Sequence, residues 1–177
     1  MAERIAKAQN SFFTNGTGIQ QPQGIVTAAA VGHTAADDLD ITWGDLVRLE
    51  SSVSSVYRRS GSVGYMFNDA VLGRLKLMSD TTGRPLWTPG VAASEPDRIN
   101  GHPYFLNPDM AAPAAGAKTV LFGDFSQFVV RDVRNVQLVR LTERYIDCFQ
   151  VGYLAFQRAD SRLLNPEAIK ALVQAAA

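Results

Sequence analysis

An α+β fold is expected for this chain of 177 residues on three observations. Helical periodicity with capping signals marks the first half, at residues 2–14 and 42–59. β patterning takes over from residue 118. Between them, residues 79–117 gather Pro85, Pro89, Pro96, Pro103, Pro108 and Pro113, which reads as long loop rather than regular core.

Each element has its own reason. Residues 2–14 lack a breaker and place Ile5, Ala8 and Phe12 on one helix face. Asn15-Gly16 ends that helix, with the glycine expected to supply a left-handed cap. Residues 15–24 form a turn-rich loop, and 25–40 are irregular or hold a short strand. Thr42 and Asp45 fit a capping box, with Ile41 and Leu46 as a hydrophobic staple. Leu46, Leu49, Val53 and Val56 then share one face as far as Arg58-Arg59, and Ser60-Gly61 breaks the helix. Val63, Tyr65 and Phe67 alternate as a strand. Asn68 caps a further helix that turns Leu72, Leu75 and Met78 inward. Short strands are expected near Pro85–Trp87 and Tyr104–Leu106. Further strands are expected at 119–122, 127–131, 136–141 and 148–157. Val136, Leu138 and Leu141 depart from strict alternation, so both faces of that strand are expected to be partly covered. Asn165-Pro166-Glu167 has the form of a helix start, with Ile169, Leu172 and Val173 as the buried face.

Bulk composition bounds the function. Hydrophobic residues make up 46% and charged residues 19%, which are globular values. A chain of this length buries roughly 70% of the surface that its unfolded form exposes. Lys+Arg and Asp+Glu are 17 each, giving no net charge. Neutral surfaces associate readily, whereas a nucleic-acid binder would carry a basic stripe. A single cysteine, Cys148, rules out an internal disulfide and a cysteine-based zinc site. The apolar runs are too short for a membrane span. No signal peptide is expected behind Met1-Ala-Glu-Arg, and the chain is expected to start inside a helix.

The residues that could carry chemistry have simpler readings. Gly16-Thr-Gly18 follows a helix rather than a strand and lacks the third glycine of a phosphate-binding loop, so a turn is expected. His33 and His102 lack helical ligand spacing and are expected at the surface or in loops. Asp37, Asp38 and Asp40 lack the glycine and distal glutamate of a calcium loop and read as a solvated acidic turn. Cys148, among Ile146, Phe149 and Val151, is expected to be a small buried hydrophobe. Asp124 follows Gly123 in a tight turn, where aspartate accepts backbone hydrogen bonds, and need not pair with Asp132 in catalysis. Arg131, Arg134, Arg140, Arg144, Arg158 and Arg162 interleave with Asp132, Glu143, Asp147 and Asp160. This pattern suits salt bridges within one subunit or between subunits. A small hydrolase using His102 and Asp109 is the enzymatic alternative, but no nucleophile–base–orienter set accompanies it.

Several phrases, in order, resemble the major capsid proteins of tailed phages of the Hong Kong 97 type. They are Phe12-Phe13-Thr-Asn-Gly-Thr-Gly18 with Pro22-Gln-Gly-Ile25, and Tyr65-Met-Phe-Asn68 followed by Leu75 through Gly83-Arg84. Ile99-Asn-Gly-His-Pro103 follows, with Tyr104 in place of the family's small aliphatic residue. Val120-Leu-Phe-Gly-Asp-Phe-Ser126 is the clearest phrase. Phe156-Gln-Arg-Ala-Asp160 and Asn165-Pro-Glu-Ala-Ile169 complete the series.

The resemblance implies an axial lobe with a mixed β-sheet and flanking helices, and a peripheral lobe with a spine helix. It implies that residues 1–30 are the end of the spine helix and the following loop, and 31–133 the axial lobe. Residues 134–158 would be peripheral-lobe strands, and 159–177 the return to the axial lobe with a C-terminal helix. The proline-rich loop around 85–98 would lie toward the capsomer axis. The family's N-terminal arm and extended hairpin have no counterpart here, which implies a C-terminal fragment from a phage or prophage. The implied function is a structural subunit, not an enzyme, that self-assembles into capsomers and an icosahedral shell enclosing DNA. An encapsulin-like nanocompartment shell is the alternative within the same fold. The implied partners are copies of itself, packaged DNA indirectly, and scaffolding or protease proteins, with no membrane. The implied location is the virion, after assembly in the bacterial host cytoplasm. No catalytic, cofactor-binding or metal-binding residue is assigned, and no cofactor.

Overall fold

A computed structural model describes residues 2–59, 61–79, 98–133 and 136–176. The strand expected near Pro85–Trp87, the turn at Gly83-Arg84, the break at Ser60 and Arg134 lie outside these residues.

The helices are α1 (Ala2–Asn15), α2 (Ile25–Ala28), α3 (Trp43–Ser52), α4 (Ser55–Arg58) and α5 (Asp69–Leu77). The strands are β1 (Ala30–Thr34), β2 (Val63–Phe67), β3 (Arg98–Ile99), β4 (His102–Leu106), β5 (Lys118–Asp124), β6 (Phe128–Asp132), β7 (Gln137–Leu141), β8 (Gly152–Phe156), β9 (Ala159–Leu163) and β10 (Ile169–Val173). A six-stranded mixed sheet runs in the order β1-β10-β5-β2-β4-β3. The β1/β10 and β2/β4 pairs are parallel, while β10/β5, β5/β2 and β3/β4 are antiparallel. Among the described residues, β6/β9 and β7/β8 form separate two-stranded antiparallel ribbons.

Both faces of the sheet are covered. One face packs Tyr65, Phe67, Val120, Phe122 and Leu172 against Leu46 and Leu49 of α3 and Val71, Leu72 and Leu75 of α5. The other packs Leu121, Ile169 and Ala171 against Ile25, Ala29 and Met110. Each large side chain fully buried in this way contributes roughly 1.5–3 kcal/mol of transfer free energy. Alternation along β5 and β10 serves two cores at once, so both strands read as continuous apolar runs.

The capping box on α3 forms as expected. The Asp45 backbone N–H donates to Thr42 Oγ1 at 3.3 Å, and the Thr42 N–H donates to Asp45 Oδ2 at 3.0 Å. Asn68 caps α5 by accepting the Ala70 N–H at 3.0 Å. Leu72 and Leu75 are buried, and Met78 packs against the same core.

Several expectations are corrected. The helix begun at Trp43 stops at Val53, whose extended backbone ends it. A separate short turn, α4, follows, and Val56 is 75% exposed rather than on the buried face. The run Ser51-Ser-Val-Ser-Ser55 weakens helix through competing side-chain hydrogen bonds and a β-branched residue. Residues 25–40 hold a short helix as well as a strand.

The helix expected after Asn165 is strand β10. Asn165 Oδ1 accepts the Glu167 N–H at 2.9 Å, so the apparent helix cap closes a turn. The following residues then pair with β1 on one side and β5 on the other.

Gly16 does not adopt a left-handed conformation; Gly18 does, at φ 79°. Gly16 is needed because a Cβ there would lie 2.1 Å from the Pro22 carbonyl oxygen. Cys148 is exposed in a 3-10 turn at Ile146–Cys148, because β8 begins only at Gly152. His33 and His102 lie on strands β1 and β4, not in loops.

Candidate assembly surfaces

The residues singled out for chemistry do not converge. His33 Nε2 lies 2.9 Å from Asp45 Oδ1, which joins β1 to the first turn of α3. Burial pushes the Asp45 carboxyl up, but hydrogen bonds from the Thr42 side chain and backbone and from His33 outweigh it and leave the pKa below the ordinary value. His102 sits 3.7 Å from Glu50 and packs edge-on against Tyr65 and Phe122. The Tyr65 hydroxyl donates to Glu50 Oε2 at 3.3 Å, and Asn100 Nδ2 donates to the same oxygen at 3.2 Å. Burial, reinforced by the Glu50 charge, raises the Tyr65 pKa. Asn100 and Gly101 both have positive φ, at 50° and 80°, and close the β3–β4 hairpin. An Asn-Gly pair is the sequence signal for such a turn.

Asp109 lies past the end of β4 opposite to His102, with the extended strand between them. It accepts a hydrogen bond from Asn10 of α1. The hydrolase pairing of His102 with Asp109 is therefore not assembled. Asp37 caps its own turn by accepting from the N–H groups of Leu39 and Asp40, which lower its pKa. Arg74 of α5 bonds to the Leu39 carbonyl and to Asp40 Oδ1. Among the described residues, no group of three His, Cys, Asp or Glu side chains could hold a metal ion, and no helix is long and apolar enough to cross a membrane.

The Gly123-Asp124 turn is structural, as expected. Asp124 Oδ1 accepts from the Ser126 N–H at 3.0 Å and from its hydroxyl at 2.7 Å. Gly123 has φ 152°, and a Cβ there would come within 2.0 Å of the Ala168 carbonyl oxygen. Glycine at this position lets β5 and β10 approach and frees Asp124 to turn the chain into β6.

The surface is more informative than the interior. The β7–β8 ribbon carries exposed apolar side chains on both faces, among them Leu138, Val139, Tyr153, Leu154 and Phe156. Adjacent residues on a strand point to opposite faces, so Leu138 and Val139 present two apolar sides. A lone two-stranded ribbon is marginally stable in water, and apolar exposure of this kind marks an interaction surface. The departure from alternation at 136–141 leaves this strand largely exposed among the described residues, rather than partly covered on both faces as expected. At the tip of the ribbon, Phe149 is 99% exposed and held at φ 53°, a left-handed conformation that costs about 1–2 kcal/mol in a non-glycine residue. The tip is nonetheless folded. The N–H groups of Phe149 and Gln150 donate to the carbonyls of Ile146 and Tyr145. The Tyr145 ring lies against Gly152, where an added Cβ would be 2.8 Å away.

The arginines follow the same pattern. Among the described residues, Arg131, Arg140, Arg158 and Arg162 enter no ion pair, and neither do Asp132, Glu143 and Asp147. Arg144 lies over the ring of Tyr145, 5.8 Å from its centroid. Among the described residues, the interleaved charges named here are thus left without ion-pair partners. α1 leaves a second open surface, where Ile5, Ala8, Phe12 and Pro22 line a groove of about 390 Å³ with Ala155 and Phe156 of the β8 strand.

Comparisons with known proteins bear on this arrangement. The capsid of an empty GTA particle is similar at 26% identity and a TM-score of 0.87, covering 99% of this chain and 64% of that one. The structure described as Gordonia phage Cozz matches at 16% identity and a TM-score of 0.68, covering 100% of this chain and 62% of that one. The SrpI encapsulin of Synechococcus elongatus PCC 7942 matches at 15% identity and a TM-score of 0.68, covering 97% of this chain and 62% of that one. This chain thus spans less than two thirds of the length of the chains it matches. No curated protein sequence matches. The family model described as the phage capsid family matches residues 1–174, so this chain, with its Hong Kong 97-type α+β fold, belongs to the phage capsid family.

Proposed function

We propose that this chain is part of a major capsid subunit that tiles with copies of itself into the closed shell of a phage head. The observation that carries the reading is the β7–β8 ribbon. Its two faces expose apolar side chains of the kind that a neighbour covers, and the charges that flank it enter no ion pair among the described residues. Zero net charge removes the long-range repulsion that would oppose dense packing of identical copies. Many modest heterologous contacts that close by rotation then hold the shell, with the charges setting register and partner choice.

In this reading residues 31–133 belong to the axial lobe, 134–158 to the peripheral lobe, and 1–30 to the end of the spine helix and its loop. Residues 159–177 return to the axial lobe, but as strands β9 and β10. The division is supported by the β6/β9 pair, whose last register pair, Asp132 and Ala159, flanks the segment that carries the β7–β8 ribbon. The protein works as structure rather than as a catalyst. It resides in the virion and assembles in the bacterial cytoplasm, with scaffolding and protease proteins as transient partners. It meets packaged DNA only indirectly, since it carries no excess of positive charge.

An encapsulin-like nanocompartment is the second reading, supported by the likeness in fold to the Synechococcus encapsulin. Negative-stain microscopy and light scattering of the full-length gene product test the shell itself. Rings or spheres are expected, and a compact monomer at high concentration overturns it. Portal, terminase and prohead-protease genes beside it support the phage head; a cargo enzyme gene in their place supports the nanocompartment.

A further inference from the structure

We propose that the tip of the β7–β8 ribbon of one copy, led by Phe149, seats in the α1–β8 groove of a second copy. The inference rests on the self-tiling reading above and names the two surfaces that meet.

The tip is a preformed apolar knob. Phe149 is almost fully solvated, Ile146 beside it is 70% exposed, and backbone hydrogen bonds hold both outward. Phe149 has a left-handed backbone, at φ 53°, and its side chain stands in solvent. An ordered, strained and fully solvated aromatic is explained by insertion into a partner, because little ordering entropy remains to be lost on docking.

The groove is the matching half. Ile5, Ala8 and Phe12 of α1 and Phe156 of β8 give it an apolar floor, and Gln9, Gln21 and Gln157 border it. At about 390 Å³ it has room for an aromatic ring and an adjacent aliphatic side chain. The charges are complementary. Asp147, two residues before Phe149, has no ion-pair partner among the described residues, and neither has Arg158, which lies between the groove residues Gln157 and Ala159. Arg144, the nearby cation at the tip, lies over its own Tyr145 ring. Knob and groove are different patches of the same chain, so the contact is heterologous, and each copy offers one of each.

Cys148 is the only cysteine and adjoins Phe149, which supplies the probe. With Ala8→Cys on the groove floor and copper–phenanthroline as oxidant, two thiols of neighbouring chains lose two electrons and two protons to form one disulfide. A head-to-tail ladder of covalent oligomers is expected on non-reducing gels, whereas the parent chain stops at a dimer. Adding Phe149→Ala should lower the ladder about tenfold or more, as for an aromatic anchor. Asp147→Arg should lower it, and Arg158→Asp in the same chain should restore it. Both side chains are exposed, so the fold is not at stake.

A ladder that survives Phe149→Ala, or that Ala70→Cys on α5 gives equally well, overturns the proposal. Glutaraldehyde on the same samples separates the two readings. Glutaraldehyde oligomers without a disulfide ladder remove the knob-in-groove contact and leave self-tiling standing, with another segment as the occupant of the groove. Absence of both removes the two together.

Discussion

The side-chain amide of Asn107 donates to the hydroxyl of Thr14 across 2.8 Å, and both residues are buried. Thr14 lies in the last turn of α1, and Asn107 follows β4 directly. The Asn107 oxygen also accepts from Asn10 Nδ2 at 2.9 Å and from the Asp109 N–H at 3.1 Å. One amide thus fixes the end of α1 to the end of the sheet, while the start of the helix stays largely exposed.

Thr14→Val keeps the shape and deletes the acceptor. The Asn107 Nδ2 is then left with only a sulfur contact at 3.7 Å to Met66. A loss of about 1–3 kcal/mol is expected, the cost of stranding a buried polar group. Urea unfolding with an unchanged slope would measure it. An unchanged midpoint would show that the joint is not a source of stability.

Gly123→Ala and Gly101→Ala separate two reasons for glycine. Both positions have positive φ, but a Cβ at Gly101 meets open space, while one at Gly123 collides with β10. About 1 kcal/mol is expected for Gly101→Ala from backbone strain alone. Gly123→Ala should cost upwards of about 3 kcal/mol, since the β5/β10 pairing must part. Thermal melts of the two variants side by side decide this, and equal melting temperatures would count against the close approach.

Asp45 makes stability depend on pH. Its pKa is lower in the folded chain than its ordinary 3.8, so its contribution is complete above that value and is lost as pH falls through the folded value. Asp45→Asn should lower stability by about 1–2 kcal/mol at pH 7, through the weakened cap and the lost His33 contact. The gap between parent and variant should narrow in acid below pH 3.8. Denaturation series at pH 7 and pH 3 give the two gaps, and a gap that widens in acid would reverse the sign argued here.

Leu138→Asp and Leu154→Asp test the ribbon. Both side chains are at least half exposed, so the fold of the single chain should change by no more than about 0.5 kcal/mol. Self-association, followed by sedimentation velocity over a range of concentrations, should fall sharply. Loss of folding in the monomer would mean instead that the ribbon is covered within its own chain.

How much was legible depends on where each signal resides. Thr42 and Asp45 meet across three residues, and Asp124 and Ser126 across two, so short-range hydrogen bonds fix both motifs wherever they occur. The period-two burial of Val63, Tyr65 and Phe67 was equally readable, because the pleat imposes it. The phrases at 12–25, 65–68, 99–103, 120–126 and 156–169 led to the family for the same reason, each being local in the chain. Cys148 was misplaced because Ile146, Phe149 and Val151 look like strand interior, and apolarity alone cannot distinguish a core strand from an apolar tip.

By itself the amino-acid sequence determined the caps at Thr42 and Asn68, the Gly123-Asp124 turn, the strand at 63–67 and the family. Only the tertiary structure decided the fate of Ile169–Val173. Asn165-Pro166-Glu167 and the Lys-Ala-Leu run favour helix locally, by tenths of a kcal/mol per residue. The slot between β1 and β5 offers backbone pairing on both edges and burial of Ile169, Ala171 and Leu172 on two opposite faces. That burial amounts to several kcal/mol, so partners distant in the chain outweigh the preference of neighbours.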